Sequence, residues 1–302
     1  MTNFPTTYAD PQTDVLLTPT RLEILTEAIR YAKLRLLKLH FESQAPYIGS
    51  GLSCLDILMT LFHAAMDDHD RFVLSKGHAA PALAATLNSI GRVSDEELSS
   101  LRLSTEIIPT HDDILISGGS PGHGLSLANG LALARSIRRQ PGRIYCVLSD
   151  GECQQGSTWE ALIFASHQNL PITAIVDANG LQGLGSTAEI AGMQDLVLRL
   201  HSMGIEPRLC DGHSPESILE ACAYPLGLRL VVAKTIKGHG VSFMENRVEW
   251  HHLTMSESHY TQAVNEVVAS GMFEADRRGG SLDSLSFREG PGIGGDSLQE
   301  AA

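Results

Sequence analysis

Apolar residues recur at helical spacing near the start of the chain. They are Leu22, Leu25, Ile29, Ala32, Leu36 and Leu39. This period predicts an amphipathic helix, and the preceding pattern Thr20-x-x-Glu23 is typical of a capping box. A second helix is predicted from Ser53 to about Ala65. Residues 71–87 then combine a short apolar run, a tight turn and a helix of small residues.

From residue 143 onward, short apolar runs alternate with helical patterns. Strands are predicted at 143–148, 172–177, 205–209 and 228–235. Helices are predicted at 157–168, around Met193 to His201, and from Ser214-Pro215 onward. In the first of these helices, Trp159 and Phe164 stand at helical spacing and are expected to face the core. Such alternation predicts an α/β fold, a parallel sheet flanked by helices on both faces.

The composition changes near both ends of the chain, which has 302 residues. Residues 1–17 look like a loose N-terminal arm, whereas residues 18–270 suffice for one large α/β domain with a sizeable core. Residues 271–302 are rich in Gly and Ser and have little apolar content, which predicts a disordered tail.

The net charge and the cysteine content indicate which partners and which cellular compartment to expect. The formal net charge of -13 argues against a nucleic-acid partner and against anionic membranes. The N-terminus has no basic segment followed by an apolar one, and no run reaches about 18 apolar residues. The five cysteines form no CxxC pair and are expected to be reduced thiols. We therefore expect a cytoplasmic protein with no membrane segment.

Two polar turns follow consecutive predicted strands, Asp150-Gly151 and Asn179-Gly180. Because ligands sit beyond the carboxyl ends of parallel strands, both polar side chains are expected to point into one crevice. A carboxylate, an amide oxygen and a backbone carbonyl suit Mg²⁺ or Ca²⁺, with phosphate oxygens and water completing the shell. Gly151 would let a diphosphate approach the backbone closely. The alternative is that both dipeptides are only turn formers.

The segment from Ser149 to Gly180 resembles the thiamine diphosphate signature of the transketolase family, which is Gly-Asp-Gly followed further along the chain by Asn. Ser149 replaces the first glycine. Other matching stretches are SKGHAAPAL (75–83), GGSPGHGLSLANGLALA (118–134), WEALIFASH (159–167), AKTIKGHGVSFMEN (233–246) and WHH (250–252). The resemblance covers roughly residues 20–265 and is to the N-terminal half of transketolase. That half binds the cofactor's diphosphate, and split transketolases carry it as a separate subunit.

The resemblance implies a thiamine diphosphate-binding fold and a set of site residues. The implied metal ligands are Asp150, Asn179 and the backbone carbonyl of Leu181. The implied cofactor-binding residues are His78, Gly119, Gly122, Asp150, Gly151, Glu152, Asn179 and His251. The implied catalytic histidines are His78, His111 and His251, with His252 competing for the role of His251. Each histidine has an alternative interpretation as a surface or core residue. His123 is expected to lie behind the residues that contact the ligand.

The resemblance also implies a partner subunit. In the transketolase family, a glutamate on a second domain protonates the cofactor's pyrimidine ring, and that domain surrounds the pyrimidine. The chain reaches its predicted tail after about residue 270, so we expect a C-terminal transketolase-like subunit to supply that domain. The expected assembly is an α2β2 heterotetramer that acts on a sugar phosphate or a related small molecule.

Besides Ser149, three positions depart from the family pattern. Tyr47 stands in place of a histidine, Gln155 in place of a glutamate, and Pro121 in place of an apolar wall residue. The first hypothesis is a transketolase-like enzyme that transfers a two-carbon ketol unit from a ketose or ketose phosphate donor to an acceptor. The second is transfer from a 2-oxo acid or ketose to an unusual acceptor of specialised metabolism, which Tyr47 and Gln155 favour. The third is a non-catalytic regulatory paralogue, against which the Asp150 and Asn179 pair speaks.

Overall fold

The computed structural model describes residues 17–100, 114–117, 120–192, 195–223 and 226–278. The predicted site residues His111 and Gly119 lie outside these ranges, as do most of the predicted N-terminal arm and residues 279–302 of the predicted tail.

Ten helices and eight strands are present in the described residues. The helices are α1 (Pro19–Ser43), α2 (Ile48–Thr60), α3 (Ala80–Ser89), α4 (Asp95–Ser100), α5 (Gly124–Ile137), α6 (Gly156–His167), α7 (Thr187–Ala191), α8 (Leu196–Ser202), α9 (Pro215–Cys222) and α10 (Glu257–Arg278). The strands are β1 (Arg71–Leu74), β2 (Ile114–Ser117), β3 (Ile144–Ser149), β4 (Ile172–Ala178), β5 (Leu181–Gln182), β6 (Gly185–Ser186), β7 (Arg208–Asp211) and β8 (Arg229–Lys234).

Six of the strands form one parallel sheet in the order β2-β1-β3-β4-β8-β7. The register places Ser149 beside Asp177, so the neighbouring strands β3 and β4 end at the same edge. Strands β5 and β6 form a separate small antiparallel hairpin just beyond β4. The predicted α/β class is confirmed, although the short strand β2 was not predicted from its sequence.

The sheet separates two hydrophobic layers. Successive residues of β3 alternate between them: Tyr145 and Val147 face one layer, whereas Cys146 and Leu148 face the other. The first layer packs against α1, α2 and α3, and the second against α5 and α6. Helices therefore cover both faces, as the near-continuous apolar character of β3 and β4 requires. The five cysteines are free and buried.

Helix α2 lies at the centre of the first layer, and all of its residues are buried. A π-helical turn, Leu61–Ala65, continues it. Among the described residues, Ile48–Ala65 is the one helical stretch long and apolar enough to cross a membrane by length and composition, and 78% of it is buried inside the fold. That burial is what a core helix requires.

Several predicted boundaries were wrong. Helix α1 is capped by Thr18, whose side chain accepts a hydrogen bond from the Arg21 amide, and not by Thr20, because Pro19 occupies the first helical position. Helix α2 begins at Ile48, five residues before the predicted start at Ser53. Helix α8 begins at Leu196.

Three further differences concern packing at the ends of the chain and on α6. Leu17, assigned to the loose arm, packs against the first hydrophobic layer. Helix α10 continues to Arg278, past the predicted domain end at residue 270. Trp159 is partly buried against the second layer as expected, but Phe164 is 41% exposed, because the inward face of α6 is formed by small residues and Leu162.

Candidate functional site

The two polar turns meet at the carboxyl edge of the sheet. Asp150 follows β3 and Asn179 follows β4. The Gly180 amide donates a hydrogen bond to Asp150 Oδ2 at 2.6 Å, and the Asp150 amide donates to the Asp177 carbonyl at 3.3 Å. The structure therefore brings the two predicted turns together in one place.

The oxygens of these turns suit a divalent cation. Asp150 Oδ1 accepts from the Gly151 amide at 2.8 Å, and Asn179 Oδ1 accepts from the Leu181 amide at 3.0 Å. Each of these oxygens keeps a lone pair beyond those bonds. Burial, and next the charge of Asp177, raise the pKa of Asp150 to about 6. A bound cation would stabilise this buried carboxylate, so the donor set fits the predicted metal. The roles of Asp150, Asn179 and Leu181 as ligands stay predictions.

A fully buried ion pair lies directly beneath the turns. Lys76, from the SKGH turn, donates to Asp177 at the end of β4, and both side chains are wholly inaccessible. Asp177 also accepts from Ser53 at 2.6 Å and from Thr235. Burial opposes the charge on Asp177, but Lys76 outweighs it and lowers the pKa of that carboxyl. Asn179 Nδ2 donates to Ser53 at 3.0 Å, which ties the second turn to α2.

A second buried ammonium group approaches the same place from the loop after β8. Lys237 is 1% exposed, and its Nζ lies 3.1 Å from Ser50 Oγ and 3.1 Å from His251 Nδ1. The Lys76 ammonium donates to the Ser50 carbonyl at 3.1 Å, so two cations converge on one residue. Within the described part of the chain, the hydrogen-bond partners of the Lys237 ammonium are neutral. Burial, and next the charge of Lys76, lower the pKa of Lys237 to about 8. A polyanion such as a diphosphate fits beside an ammonium group whose own hydrogen-bond partners are neutral.

A cluster of rings forms the next part of the site. Tyr47 lies with its ring centroid 5.7 Å from His78, 5.0 Å from His251 and 6.1 Å from His252. Burial, and next the charge of Lys76, hold the pKa of His78 well below its usual value. Burial, and next Lys237, lower the pKa of His251 to about 3. Both imidazoles are therefore neutral at pH 7.

The geometry favours His251 over His252 as the site histidine. Lys237 donates to His251 Nδ1, which places the ring proton of His251 on Nε2. Both rings lie beside the β5–β6 hairpin, since a Cβ on Gly183 would stand 3.2 Å from His251 Nε2 and 3.4 Å from His252 Nε2. The catalytic roles of His78 and His251 stay predictions.

Glu152 occupies an interior position that the sequence did not indicate. Its carboxylate accepts from Ser75 Oγ, from the Gly122 amide at 2.8 Å and from the Ser149 amide at 3.3 Å. These bonds join the SKGH turn to the Gly-rich loop, so the side chain braces the site from inside. Its assignment to cofactor binding, like that of Gly122, stays a prediction. Gly122 has φ +86, and a Cβ there would stand 2.5 Å from Ser157 Oγ, so the turn requires glycine.

The positions that depart from the family pattern are in different settings. Tyr47 is half-buried in the ring cluster, with φ +74, at the N-terminal end of α2. Gln155 lies just before the start of α6, and Pro121 lies just before the start of α5. His123, which is not a departure, directly precedes α5. Tyr47 is therefore the departure that contacts the predicted site histidines, whereas Gln155 contacts Glu152, whose carbonyl accepts from the Gln155 amide at 3.0 Å.

Sequence reasoning missed the polar network beneath the turns. Its members are Ser50, Ser53, Lys76, Asp177, Thr235 and Lys237. Both lysines precede a glycine in the stretches SKGH and IKGH, and this repeated Lys-Gly pattern was an available signal. Asp177, at the end of an apolar strand, was a second one.

Comparisons with known proteins agree with this geometry. Residues 57–267 match the family described as transketolase, thiamine diphosphate binding domain. The chain is 32% identical over 252 residues to one of the subunits of the apulose-4-phosphate transketolase of Phocaeicola vulgatus, and the match covers 77% of this chain and 90% of that protein. It is 33% identical to the 6-deoxy-6-sulfo-D-fructose transketolase subunit SqwG of Clostridium sp. strain MSTE9 over 245 residues, 74% of this chain and 89% of that protein.

Among solved structures, transketolase from Campylobacter jejuni superposes with a TM-score of 0.67 at 23% sequence identity. The superposition covers 83% of this chain but 43% of that one, so the chain spans less than half the length of that enzyme. At this level of identity the likeness shows the fold.

Proposed function

Since the chain belongs to the transketolase family as a thiamine diphosphate-binding domain, we propose that it is the diphosphate-binding subunit of a two-component transketolase. The reaction is transfer of a two-carbon ketol unit from a phosphorylated ketose to an acceptor. The observation that carries this proposal is the hydrogen bond from the Gly180 amide to Asp150 at 2.6 Å, which unites the two signature turns beside two buried lysines.

The residues present fit both the metal and the cofactor. Asp150, Asn179 and the Leu181 carbonyl would hold Mg²⁺, and Lys237 would face the diphosphate. The Gly151 amide donates to Asp150 Oδ1 in this structure, so it would reach the diphosphate only after that bond opens. Thiamine diphosphate, when bound, would supply the nucleophilic carbon and the electron sink that cleavage of a ketose C–C bond requires. The neutral ring of His78 has one donor and one acceptor nitrogen for a substrate hydroxyl. The His251 ring accepts from Lys237 at Nδ1, so it would offer a substrate the N–H at Nε2.

The proposal includes a partner. The two relatives above are named as subunits, which supports a separate C-terminal subunit that supplies the pyrimidine-binding domain and its glutamate. We propose an α2β2 heterotetramer. The free cysteines support a cytoplasmic location, where thiols stay reduced.

Tyr47 supports a second candidate, transfer to an acceptor outside ordinary pentose phosphate exchange. Its phenol ring lies against the rings of His78 and His251, where the family pattern has a histidine. A phenol offers one hydroxyl oxygen where an imidazole offers two ring nitrogens, so its hydrogen bonds to a substrate differ from those of a histidine.

Metal-dependent binding tests the proposed site. In calorimetric titrations of the chain with thiamine diphosphate and Mg²⁺, Asp150→Asn and Asn179→Ala are each expected to weaken binding by about 10–100-fold or more, as ligand losses do. Asp68→Asn is the matched control, because that exposed carboxylate precedes β1, at the opposite edge of the sheet. Unchanged affinity in Asp150→Asn would show that this turn holds no metal.

A further inference from the structure

A second polar cluster, outside the predicted site, joins four separate segments of the fold. Asp56 of α2 is 2% exposed, and its Oδ1 lies 3.2 Å from Lys33 Nζ of α1. Its Oδ2 lies 2.6 Å from His213 Nδ1, in the turn after β7, and 3.0 Å from His239 Nδ1, in the loop after β8. The two imidazoles stack with their centroids 3.5 Å apart. Burying a carboxylate has a large desolvation cost even when it has three such partners. Such a cluster therefore suggests a role in organising the segments that it joins.

The positions of the protons argue against a metal in this cluster. The ligand atoms of Asp56, His213 and His239 lie within 4.8 Å of one another, close enough for a cation. However, His213 Nε2 accepts a hydrogen bond from the Ile236 amide at 2.8 Å, so the proton of this ring is on Nδ1, facing Asp56. Lys33 already supplies a positive charge to Asp56. His239 Nδ1 lies 3.0 Å from Asp56 Oδ2 and 3.1 Å from Lys33 Nζ, and with its proton on Nδ1 it donates to Asp56. The cluster is therefore an ion pair braced by two histidines.

The cluster holds the backbone on both sides of Lys237. On one side, the Ile236 amide donates to His213; on the other, the His239 side chain contacts Asp56. Between them, the Gly238 amide donates to the Gly49 carbonyl at 2.9 Å. Lys237 is thus the residue whose side chain leaves the loop toward Ser50 and His251, while its neighbours are fixed to Asp56.

We propose that Asp56 is a positioning residue, which fixes the loop 235–240 through His213 and His239 so that the Lys237 ammonium faces the cofactor's diphosphate. The inference rests on the proposed function for the identity of the anion. A long lysine side chain loses conformational entropy when it is held in one place, and a preorganised loop has already met that cost before the ligand binds.

Two variants and one control separate this role from general stability. Asp56→Asn keeps the size of the side chain but removes the charge that holds both imidazoles and Lys33. His239→Phe keeps a ring stacked on His213 but removes the nitrogen that contacts Asp56, at a partly exposed position. Asp95→Asn is the matched control, because it breaks the other ion pair between α1 and an aspartate, that of Arg35.

Hydrogen exchange in the full chain without cofactor tests the loop directly. Amides of residues 236–240 are expected to exchange about 10-fold faster in His239→Phe and Asp56→Asn, since losing a charged hydrogen bond is equivalent to about a tenfold change in the opening equilibrium. Asp95→Asn should leave these amides unchanged. If His239→Phe exchanges like the parent, the cluster does not position the loop and the proposal is wrong, whether or not Asp56→Asn folds.

Binding of thiamine diphosphate with Mg²⁺ tests the consequence for Lys237. Each variant is expected to weaken the affinity by about 10-fold in the parent background, but to cause no further loss when combined with Lys237→Met. An equal loss in both backgrounds would indicate general damage and overturn the proposal. If neither the parent chain nor its complex with a C-terminal transketolase-type subunit binds thiamine diphosphate, the proposed function fails, and the exchange result still decides whether Asp56 positions the loop.

Discussion

Lys237 is almost fully buried, which is rare for a lysine. A second ammonium group, that of Lys76, acts on it. Its pKa of about 8 is below its ordinary value of 10.5 because burial and Lys76 disfavour its charge. Between these two pH values the folded chain holds fewer protons than the unfolded chain. The contribution of Lys237 therefore destabilises the free protein below about pH 8, and the penalty disappears as pH rises through that window.

Cofactor binding should show the opposite pH dependence at this residue. The affinity for thiamine diphosphate is expected to fall as pH rises above about 8, because the ammonium that faces the diphosphate loses its proton. Calorimetry should be done at about pH 7 and about pH 9.5, on either side of that pKa. The affinity for thiamine diphosphate should fall more between these pH values in the parent than in Lys237→Met. Lys38→Met is the control, since Lys38 is a solvent-exposed lysine of α1. Parallel curves for the parent and Lys237→Met would show that another group controls the binding.

Tyr47 leads to a prediction about substrate choice. With xylulose 5-phosphate and ribose 5-phosphate, the complete enzyme is expected to turn over well below ~10 s⁻¹, the typical rate of efficient enzymes. Tyr47→His should raise this rate by about 10²-fold or more, because an imidazole restores a group that can carry a proton near neutral pH. Tyr31→His on α1 is the control. Formation of sedoheptulose 7-phosphate by the parent at ~10 s⁻¹ or more would refute the prediction.

At the scale of elements, helix α2 connects the core to the site. Its first turns carry Ser50 and Ser53, which contact the two lysines and Asp177, and its middle carries Asp56. The remaining face consists of apolar side chains in the first hydrophobic layer. A shift of this one helix would therefore move the predicted site together with the polar cluster around Asp56.

The packing of α2 makes a stability prediction. Leu55→Ala is expected to lower the free energy of unfolding by about 2–5 kcal/mol, because Leu55 is fully buried and its removal leaves a cavity. Leu198→Ala on α8 is the matched control, since that side chain is 66% exposed and its loss should change stability by less than about 0.5 kcal/mol. Urea denaturation followed by circular dichroism measures both. Equal midpoints for the two variants would mean that α2 is not tightly packed.

At the scale of the whole molecule, apolar side chains are exposed near the site. Leu184, at the tip of the β5–β6 hairpin, is 90% exposed, and Leu253, which follows His251 and His252, is 47% exposed. Ile163 and Phe164 add exposed apolar area on α6. Large continuous apolar patches mark surfaces that another protein covers, so these side chains are candidates for contact with the proposed partner.

The chain alone is expected to bind the cofactor weakly and to turn over nothing, because the groups around the pyrimidine belong to the proposed partner. Ketol transfer should be measured with this chain, with a C-terminal transketolase-type subunit, and with the two co-expressed. Turnover is expected only in the last sample. Steady turnover by the purified chain alone would contradict the two-component proposal.

Features that depend on neighbours in sequence could be predicted from the sequence. The alternation of apolar runs and helical patterns determined the α/β class, because the period of burial along each element is a local property. The turns at Asp150 and Asn179 were predicted to converge, since parallel strands end at one edge. Boundaries were less accurate: Thr18 replaced Thr20 as the cap because Pro19 fits the first helical position.

Only the tertiary structure decided which residues, distant in sequence, form ion pairs and hydrogen bonds with one another. Lys76, in the turn after β1, pairs with Asp177 of β4, Lys237 reaches His251, and Asp56 has partners from three other segments. Their partners are set by the order β1-β3-β4-β8 in the sheet and by the path of the loops beyond it. No local period encodes such contacts, because the energy of a buried charge depends on which groups the whole fold places within a few ångströms of it.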